Sequence, residues 1–377
     1  MSWFGKKPDA EAEQSAQERY YFATQWQLMW RKLRRHKLAM LGLVLLAGIY
    51  FVAIFAEFFS TMDVQKRHTG FVYSPPQRVR FVDAEARFHL RPFVYGWRTS
   101  RHPYTFELCY EEDTSKRFPI KFFTSGEEYK FWGLIPCRWR LLGVDEPGYL
   151  FIFGTDKLGR DMYSRVLTAA RVSLSIGLVG VALSFILGCV LGGISGYYGG
   201  RIDTLIQRII EFLLSIPTLP LWMALAAAVP KEWPPLKVYM AITVLLSIVG
   251  WCGLARVVRG KLISMREEDF VLAARVSGAP DGRIIRRHLL PGFLSYLIVS
   301  LTLAIPAMIL GETALSFLGL GLRPPVVSWG VLLSTAQDVK VVVLYPWVLL
   351  PGAFVVVTVL AFNFLGDGLR DAADPYR

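Results

Sequence analysis

The sequence has little charge for its length and few cysteines. Asp, Glu, Lys and Arg make up 19% of its 377 residues, whereas 53% are apolar. The apolar residues lie in long uncharged runs, which excludes an ordinary water-soluble protein and indicates a membrane protein. The net charge of +12 fits either nucleic-acid binding or the basic cytoplasmic loops of a membrane protein, and the positions of the basic residues favour the loops.

The four cysteines form no CxxC pair, which argues against a zinc site or a thioredoxin-like centre. Cys189 and Cys252 lie in apolar runs and are predicted to be packing residues. Cys109 and Cys137 lie in one polar region and could form a disulfide if that region faces an oxidising compartment. No phosphate-binding loop, Ser/His/Asp arrangement or HExxH motif is present, so we expect this chain to have no catalytic residue, no bound metal and no cofactor.

Six apolar runs are long enough to cross a bilayer. The first, at residues 38–59, follows a polar tail, residues 1–37, whose first 30 residues show no apolar periodicity. The sequence therefore predicts an all-α membrane protein with six transmembrane helices. Within a membrane domain at 151–377, the other five spans are predicted at about 172–194, 212–229, 238–255, 293–310 and 341–366.

Residues 60–150 have a different composition, in which charged residues, prolines and many aromatic residues are mixed. Short β-prone stretches lie between proline and glycine turns. This pattern predicts a folded insertion after the first span, either α/β or β-rich, because a disordered linker would contain fewer aromatic residues.

Basic residues mark one side of the membrane. By the positive-inside rule the tail and the loop at 256–291 are predicted to be cytoplasmic, so both termini are cytoplasmic and the insertion is periplasmic. The two clusters are Arg31, Lys32, Arg34, Arg35 and Lys37, then Arg256, Arg259, Lys261, Arg266, Arg275, Arg283, Arg286 and Arg287.

Small residues recur at every fourth position of the second span. This spacing places them on one helix face, where another helix can approach closely, although membrane helices are also simply rich in glycine. The predicted helix-packing residues are Gly180, Ser184, Gly188, Gly192 and Gly196, and the series continues to Gly200.

Four acidic residues near the spans are not expected to be catalytic. Glu57 and Glu312 lie near span ends, where they are expected to reach water or lipid headgroups. Asp156 and Asp161, together with nearby glycines, are expected to form turns and a helix cap.

The loop between the fourth and fifth spans has the pattern of a helix, a turn and a second helix. Ala273 and Ala274 favour helix, and Phe270, Val271 and Ala274 are expected to form one apolar stripe. Gly278 is placed where a helix would end, before a turn that contains Pro280 and Gly282. A short helix with a small-residue surface is suited to lie in a groove of a soluble partner.

This loop resembles the cytoplasmic loop of the permeases of ABC importers, whose pattern is Glu-Ala-Ala, three residues, Gly, nine residues, Ile, any residue, Leu-Pro. The sequence departs from it at Leu272, where the family has Glu, and at His288, where Ile is common. It matches, with the spacing intact, at Ala273, Ala274, Gly278, Leu290 and Pro291. The resemblance implies an ATPase-coupling loop formed by Asp269, Ala273, Ala274, Arg275, Gly278, His288, Leu290 and Pro291.

Further segments resemble the C-type permease of the dipeptide, oligopeptide and nickel group. They include residues 154–161, 164–165, 170–174, 197–200, 316–321, 328–330 and the tail 370–375. The resemblance covers about residues 30–60 and 150–377.

The resemblance implies a type I importer permease-like fold in the bacterial inner membrane. It implies a transmembrane subunit that imports peptides or similar small solutes into the cytoplasm. The expected partners are a second permease, one or two cytoplasmic ATPase subunits that hold ATP and Mg, a periplasmic solute-binding protein and membrane lipid, with no nucleic acid. Oligosaccharides, opines or nickel are alternative substrates within the family, and a secondary transporter or channel is the alternative from another class. The insertion is expected either to help dock the binding protein or to be a passive cap.

Overall fold

A computed structural model describes residues 25–104, 108–230 and 232–373, with no account of the side chains of residues 25 and 26. The first 24 residues of the predicted N-terminal tail lie outside the described residues. Residues 374–377 also lie outside them, and these include the last two residues of the 370–375 motif.

Two helices open the described chain, α1 (Gln25–Arg35) and α2 (Lys37–Ile54). The His36 Nδ1 atom caps α2 by accepting a hydrogen bond of 3.1 Å from the Ala39 amide. The prediction of a tail without apolar periodicity is wrong over α1. Met29 and Leu33, four residues apart, are buried against Ala372 near the end of the chain, and this distant partner stabilises a helix too short to be recognised alone.

The insertion is β-rich, as predicted. After α3 (Ala56–Phe59) and a 3-10 turn at Thr69–Phe71, it forms β1 (Arg80–Val82), β2 (Phe88–Arg101), β3 (Leu108–Pro119), β4 (Lys121–Phe131) and β5 (Ile135–Gly143). Strands β1, β2 and β3 form one antiparallel sheet, and β4 and β5 form a second. A small core of Val94, Ile120 and Leu150 lies beneath them.

Cys109 and Cys137 are not bonded to each other in this structure, so the disulfide that the sequence allowed is not formed here. Cys109 lies on β3 opposite Ser100, whereas Cys137 lies on β5 opposite Tyr129. The two strands belong to different sheets, so strand pairing does not bring the two cysteines opposite each other.

Five helical segments of the described chain are long and apolar enough to cross a membrane. The last of these segments begins at Pro346, later than the predicted start at residue 341. Residues at that predicted start instead form a separate short helix, α12 (Val339–Leu344). The segments are α2, α4 (Met162–Tyr198), α7 (Pro235–Met265), Asp281–Phe317, which contains α9 (Asp281–Ile284) and α10 (Leu294–Phe317), and Pro346–Ala373, which contains α13 (Leu350–Ala373).

The predicted span at 212–229 contains a sharp bend, at which two helices meet. Helices α5 (Gly200–Ser215) and α6 (Thr218–Ala227) are bent by 87° relative to each other, and by length and composition the pair fits one broken span or a re-entrant loop. Pro217 has no amide hydrogen to donate, and the residue before it, Ile216, is extended with φ −94° and ψ 130°. The helix therefore ends at Ser215, two residues before the proline.

Helix α4 lies in the middle of the bundle and packs against α7, α10 and α2. Its side chains Leu174 and Ile176 join Leu246 of α7 and Ile309 of α10 in the main core. Two short helices complete the fold, α8 (Asp269–Val276), which lies between the α7 span and the Asp281–Phe317 span, and α11 (Trp329–Leu333), which covers the end of α10.

Candidate coupling loop and the polar contacts of the helix bundle

The loop after α7 folds as helix, turn and helix. Helix α8 ends at Val276, and Gly278 then adopts φ +75°, in the left-handed region that favours glycine. The Gly278 amide donates to the Arg275 carbonyl, and the Ala279 amide donates to the Ala274 carbonyl. Pro280 precedes α9, so the turn has the local chemistry that the sequence pattern indicates.

One side of α8 is buried. Val271 is completely buried in a cluster with Ile284 and Leu289 from the start of the next span. Ala274 and Leu290 are half-buried against the same cluster. The structure therefore brings the two ends of the sequence motif together around a shared apolar core.

The other side of α8 is exposed and apolar. We call this surface the coupling face and define it as Phe270, Leu272, Ala273 and Val276, all of them exposed. Phe270 was expected to share a stripe with Val271 and does not, because the helix rotates it away from the buried cluster. An exposed apolar face on a short helix marks an interaction surface.

The other motif residues lie beside the coupling face or away from it. Asp269 is exposed in the first turn of α8, where a negative charge is favourable. His288 is half-buried in a π-helical turn at Ile285–Leu289, and Pro291 is exposed in the 3-10 turn that follows. These last two residues belong to the entry of the next span.

Tyr197, near the end of α4, holds the loop on both sides of its turn. Its hydroxyl donates to the Asp281 Oδ1 atom at 2.7 Å and accepts from the Arg275 Nε atom at 3.2 Å. The Arg275 guanidinium also lies 4.9 Å from the Tyr197 ring centroid. Sequence reasoning identified Arg275 but not Tyr197 or Asp281 as coupling residues, although Tyr197 begins the Tyr-Tyr-Gly-Gly segment that carried the resemblance.

We expect Tyr197→Phe to loosen the turn after α8 without unfolding the chain. The change keeps the ring beneath Arg275 but removes the hydroxyl, and a hydrogen bond to a charged group contributes about 1.5–3 kcal/mol. Hydrogen exchange at the Gly278 and Ala279 amides should therefore become faster. The matched control is Tyr296→Phe, because Tyr296 is exposed on α10, and equal exchange rates in the two variants would contradict this role.

The small residues of α4 face two neighbouring helices. A Cβ atom added at Gly192 would lie 2.5 Å from the Ala255 carbonyl oxygen, and one at Gly196 would lie 2.6 Å from that of Arg259. Gly188 faces Leu254, also on α7. The backbones of α4 and α7 therefore approach so closely that only glycine fits at these positions.

The rest of the series behaves differently at its two ends. Gly180 faces Met308 of α10, and the Ser184 hydroxyl donates to the Ser247 carbonyl of α7 at 3.4 Å. Gly200 lies outside this packing face, because it begins α5 with φ +56° and a Cβ atom there would meet no atom within 4 Å.

We expect Gly192→Ala and Gly260→Ala to have opposite effects on stability. The first forces a methyl group against a backbone carbonyl, and such overpacking destabilises by about 1–3 kcal/mol. The second lies on α7 with open space around it, so it should stabilise the helix by up to about 1 kcal/mol. Thermal unfolding in detergent measures both, and equal shifts would contradict the packing argument.

An ion pair joins α5 to α7. The Arg259 Nη2 atom donates to the Asp203 Oδ2 atom at 2.6 Å, and the Ser195 hydroxyl donates to the same carboxylate. The basic cluster therefore contains at least one arginine with a structural partner within the bundle. Sequence pattern alone gave no sign of this pair, because its members lie 56 residues apart.

Glu312 is completely buried, so the prediction that it reaches water or headgroups is wrong. Its carboxylate accepts hydrogen bonds from Ser316 and Ser328 at 2.7 Å each and from Ser173 at 3.2 Å. The Ser173 oxygen in turn accepts from the Trp329 amide at 3.1 Å. One carboxylate thus joins α4, α10 and α11.

The fold after α10 explains this burial. The chain turns back at Gly319, with φ +76°, and Ser328 caps α11 by accepting from the Val331 amide. Helix α11 then packs over Glu312, with the Trp329 side chain completely buried and its indole donating to the Val166 carbonyl at 3.1 Å.

The acidic residues before α4 are structural, as predicted. The Asp156 carboxylate accepts from the Arg160 Nε atom at 2.8 Å. Asp161 caps α4 by accepting from the Ser164 amide at 2.8 Å, and Thr61 donates to the same oxygen at 3.0 Å. Complete burial raises the pKa of the Asp161 carboxyl, although these hydrogen bonds oppose the rise.

Glu57 also has a protein partner, which the sequence did not predict. Arg171 of α4 donates to both of its carboxylate oxygens, at 2.7 and 2.6 Å. Arg171 donates further to the Ala53 carbonyl at 3.0 Å. This two-pronged pair fixes the end of the first span to α4.

Comparison with known proteins identifies the membrane part of the chain. Residues 188–376 match the family of binding-protein-dependent transport system inner membrane components. Residues 24–76 match the N-terminal TM domain of oligopeptide transport permease C. All the strands of the insertion lie between these two matched segments.

Several relatives are similar over most of their own length. The dipeptide transport system permease protein DppC of Bacillus subtilis is 42% identical over 225 residues, which cover 59% of this chain and 68% of that protein. The oligopeptide transport system permease protein OppC of the same organism is 38% identical over 237 residues, covering 62% and 75%. The OppC of Haemophilus influenzae is 41% identical over 230 residues, covering 60% and 71%.

These matches confirm the resemblance drawn from the loop and from the segments around α4 and α10. Together with the apolar helices they make this a multi-pass inner-membrane protein. The chain belongs to the family of binding-protein-dependent transport system inner membrane components, the permease subunits of ABC importers.

Proposed function

We propose that this chain is the permease subunit of an ABC importer that moves peptides or similar small solutes from the periplasm to the cytoplasm. The observation that carries the proposal is the coupling face of α8, an exposed apolar surface whose other side is fixed to the bundle. The peptide substrate class rests on the similarity to dipeptide and oligopeptide permeases.

The contacts of α8 suit it to transmit motion. A cytoplasmic ATPase subunit that holds ATP and Mg would seat the coupling face in a groove and pull or push it as the ATPases close. Val271 and Ala274 pack α8 on the bundle, while Tyr197 ties the turn to α4. Movement of the ATPase would therefore shift α4 and the following span as a unit, which is how a two-state element couples nucleotide to substrate.

The remaining parts of the assembly follow from this arrangement. A second permease would supply the other half of the pathway, one or two ATPase subunits would bind the cytoplasmic loops, and a periplasmic binding protein would deliver the solute. The basic loop at 256–291 and the basic residues before α2 favour cytoplasmic termini under the positive-inside rule. In that orientation the insertion would lie in the periplasm.

The test is co-purification from the native host, followed by transport in liposomes. The proposal predicts that a tagged chain brings down a second permease and an ATPase, and that uptake of a labelled dipeptide requires ATP and the binding protein. Competition by unlabelled peptides, sugars and nickel separates the substrate classes. Uptake by the chain alone without ATP would replace the proposal with a secondary transporter.

A further inference from the structure

An apolar patch lies at the end of the hairpin formed by β4 and β5. We call it the hairpin tip and define it as Phe131, Trp132, Leu134 and Ile135. Trp132 is 56% exposed, Leu134 78% and Ile135 62%. Apolar side chains clustered in this way on a surface indicate a contact with an apolar partner.

Two contacts place the hairpin tip at the end of the first span. The Trp132 indole nitrogen donates to the carbonyl of Ile54, the last residue of α2, at 3.0 Å. The Phe131 ring stacks on that of Phe55, with centroids 5.7 Å apart. A second ring contact joins Phe123 of β4 to Phe58 of α3, with ring centroids 6.2 Å apart.

The surface of α2 beside the hairpin tip is itself apolar and exposed. Phe51 and Ile54 in the last turn of α2 and Phe55 just after it remain exposed to different degrees, even though Phe55 stacks on Phe131. Because α2 is a membrane span, apolar side chains exposed along it face lipid acyl chains or another membrane helix. The hairpin tip continues this surface beyond the end of the helix.

We propose that the hairpin tip inserts into the bilayer leaflet on the insertion's side and that its partner is lipid. The depth follows from the Trp132 bond to Ile54, which holds the tip level with the last turn of the span. Tryptophan is enriched at this depth, because its ring is apolar while its N–H needs a polar partner. Here the backbone carbonyl of the span supplies that partner.

Charged residues lie where headgroups would meet the hairpin. Lys130, at the end of β4 and opposite Pro136, is exposed beside the tip. Arg138 is also exposed, two residues further along β5, where it pairs with Glu128 at 3.0 Å. Long basic side chains can keep their stems in the interface while their charges reach lipid phosphates.

A control position for Leu134 lies on the other sheet of the same insertion. Leu90 on β2 is 87% exposed, comparable with Leu134, but it is flanked by His89 and Arg91. His89 pairs with Asp83. The same-face neighbours of Leu90 along the strand are Phe88 and Pro92, and this strand belongs to the β1–β2–β3 sheet rather than to the hairpin. Leu90 therefore serves as the water-facing control for Leu134.

The experiment places one nitroxide label at a time on the full chain in the assembled transporter. Leu134→Cys, Ile135→Cys and Leu90→Cys are each made with Cys109→Ser and Cys137→Ser. The complexes are reconstituted in vesicles of phosphatidylethanolamine and phosphatidylglycerol. Power saturation then measures the accessibility of each label to oxygen, which concentrates in the bilayer, and to a water-soluble nickel chelate.

The proposal predicts that labels at Leu134 and Ile135 are more accessible to oxygen than to the nickel chelate, with the opposite order at Leu90. Greater accessibility to the nickel chelate than to oxygen at all three positions would overturn the proposal, because the tip would then face water. Labels at the tip shielded from both reagents would also overturn it, because a protein partner would then cover the patch.

Discussion

Replacing Val276 with lysine should remove most of the ATP-driven uptake while the chain stays folded and in the membrane. Val276 is 89% exposed at the end of α8, so the described part of the chain contacts little of its side chain. Burying a valine against the ATPase contributes about 1.5–3 kcal/mol, and burying an unpaired ammonium group in its place is unfavourable. Affinity for the ATPase should therefore fall by roughly tenfold or more, while a cation at a helix C-terminus is favourable for the helix itself.

The control for this prediction is Leu90→Lys, which changes an equally exposed apolar residue on the insertion. Uptake and ATPase co-purification are measured for both variants at matched membrane levels. We expect the Val276 variant to lose co-purified ATPase and the Leu90 variant to retain it. Full retention of the ATPase by Val276→Lys would show that the coupling face is not the docking surface.

The coupling loop could be predicted from sequence because its determinants are local. Gly278 in the left-handed region, Pro280 after it and the helix-favouring Ala273 and Ala274 all act within a few residues. The glycine spacing on α4 is local in the same sense, since positions four apart share a helix face. Length and hydropathy likewise indicated five of the spans without any tertiary information.

What the sequence could not predict depends on partners far along the chain. An acidic residue such as Glu312 is expected to face water. It is buried here because the hydroxyls of Ser328 and of Ser173, which is 139 residues away, donate to its carboxylate. Helix α1 needs Ala372, and Tyr197 acquires its role only because Arg275 and Asp281 fold back onto it. Pro217 in the sequence indicates that the helix bends there. Whether the helix only kinks or breaks into α5 and α6 depends on how the two parts pack.

Replacing Glu312 with leucine should destabilise the bundle more than Gly192→Ala does. Leucine fills a similar volume but accepts no hydrogen bond, so the hydroxyls of Ser173, Ser316 and Ser328 lose their common acceptor. A buried group left without a hydrogen-bond partner costs about 1–3 kcal/mol, and this substitution would leave three serine hydroxyls without their acceptor. Helix α11 should detach from α10, and the protein should unfold at a lower temperature and reach lower levels in the membrane.

Glu312→Gln separates hydrogen bonding from charge at the same site. Its side-chain oxygen can accept from Ser316 and Ser328, and its NH2 group can donate to the Ser173 oxygen, which has a second lone pair beside the one used by Trp329. We therefore expect the glutamine variant to unfold near the parent temperature, and Glu267→Leu, an exposed acid, to change little. If glutamine destabilises as much as leucine, the negative charge holds the three elements together. If neither destabilises, the polar centre contributes nothing to the bundle and α11 is held by the packing of Trp329 alone.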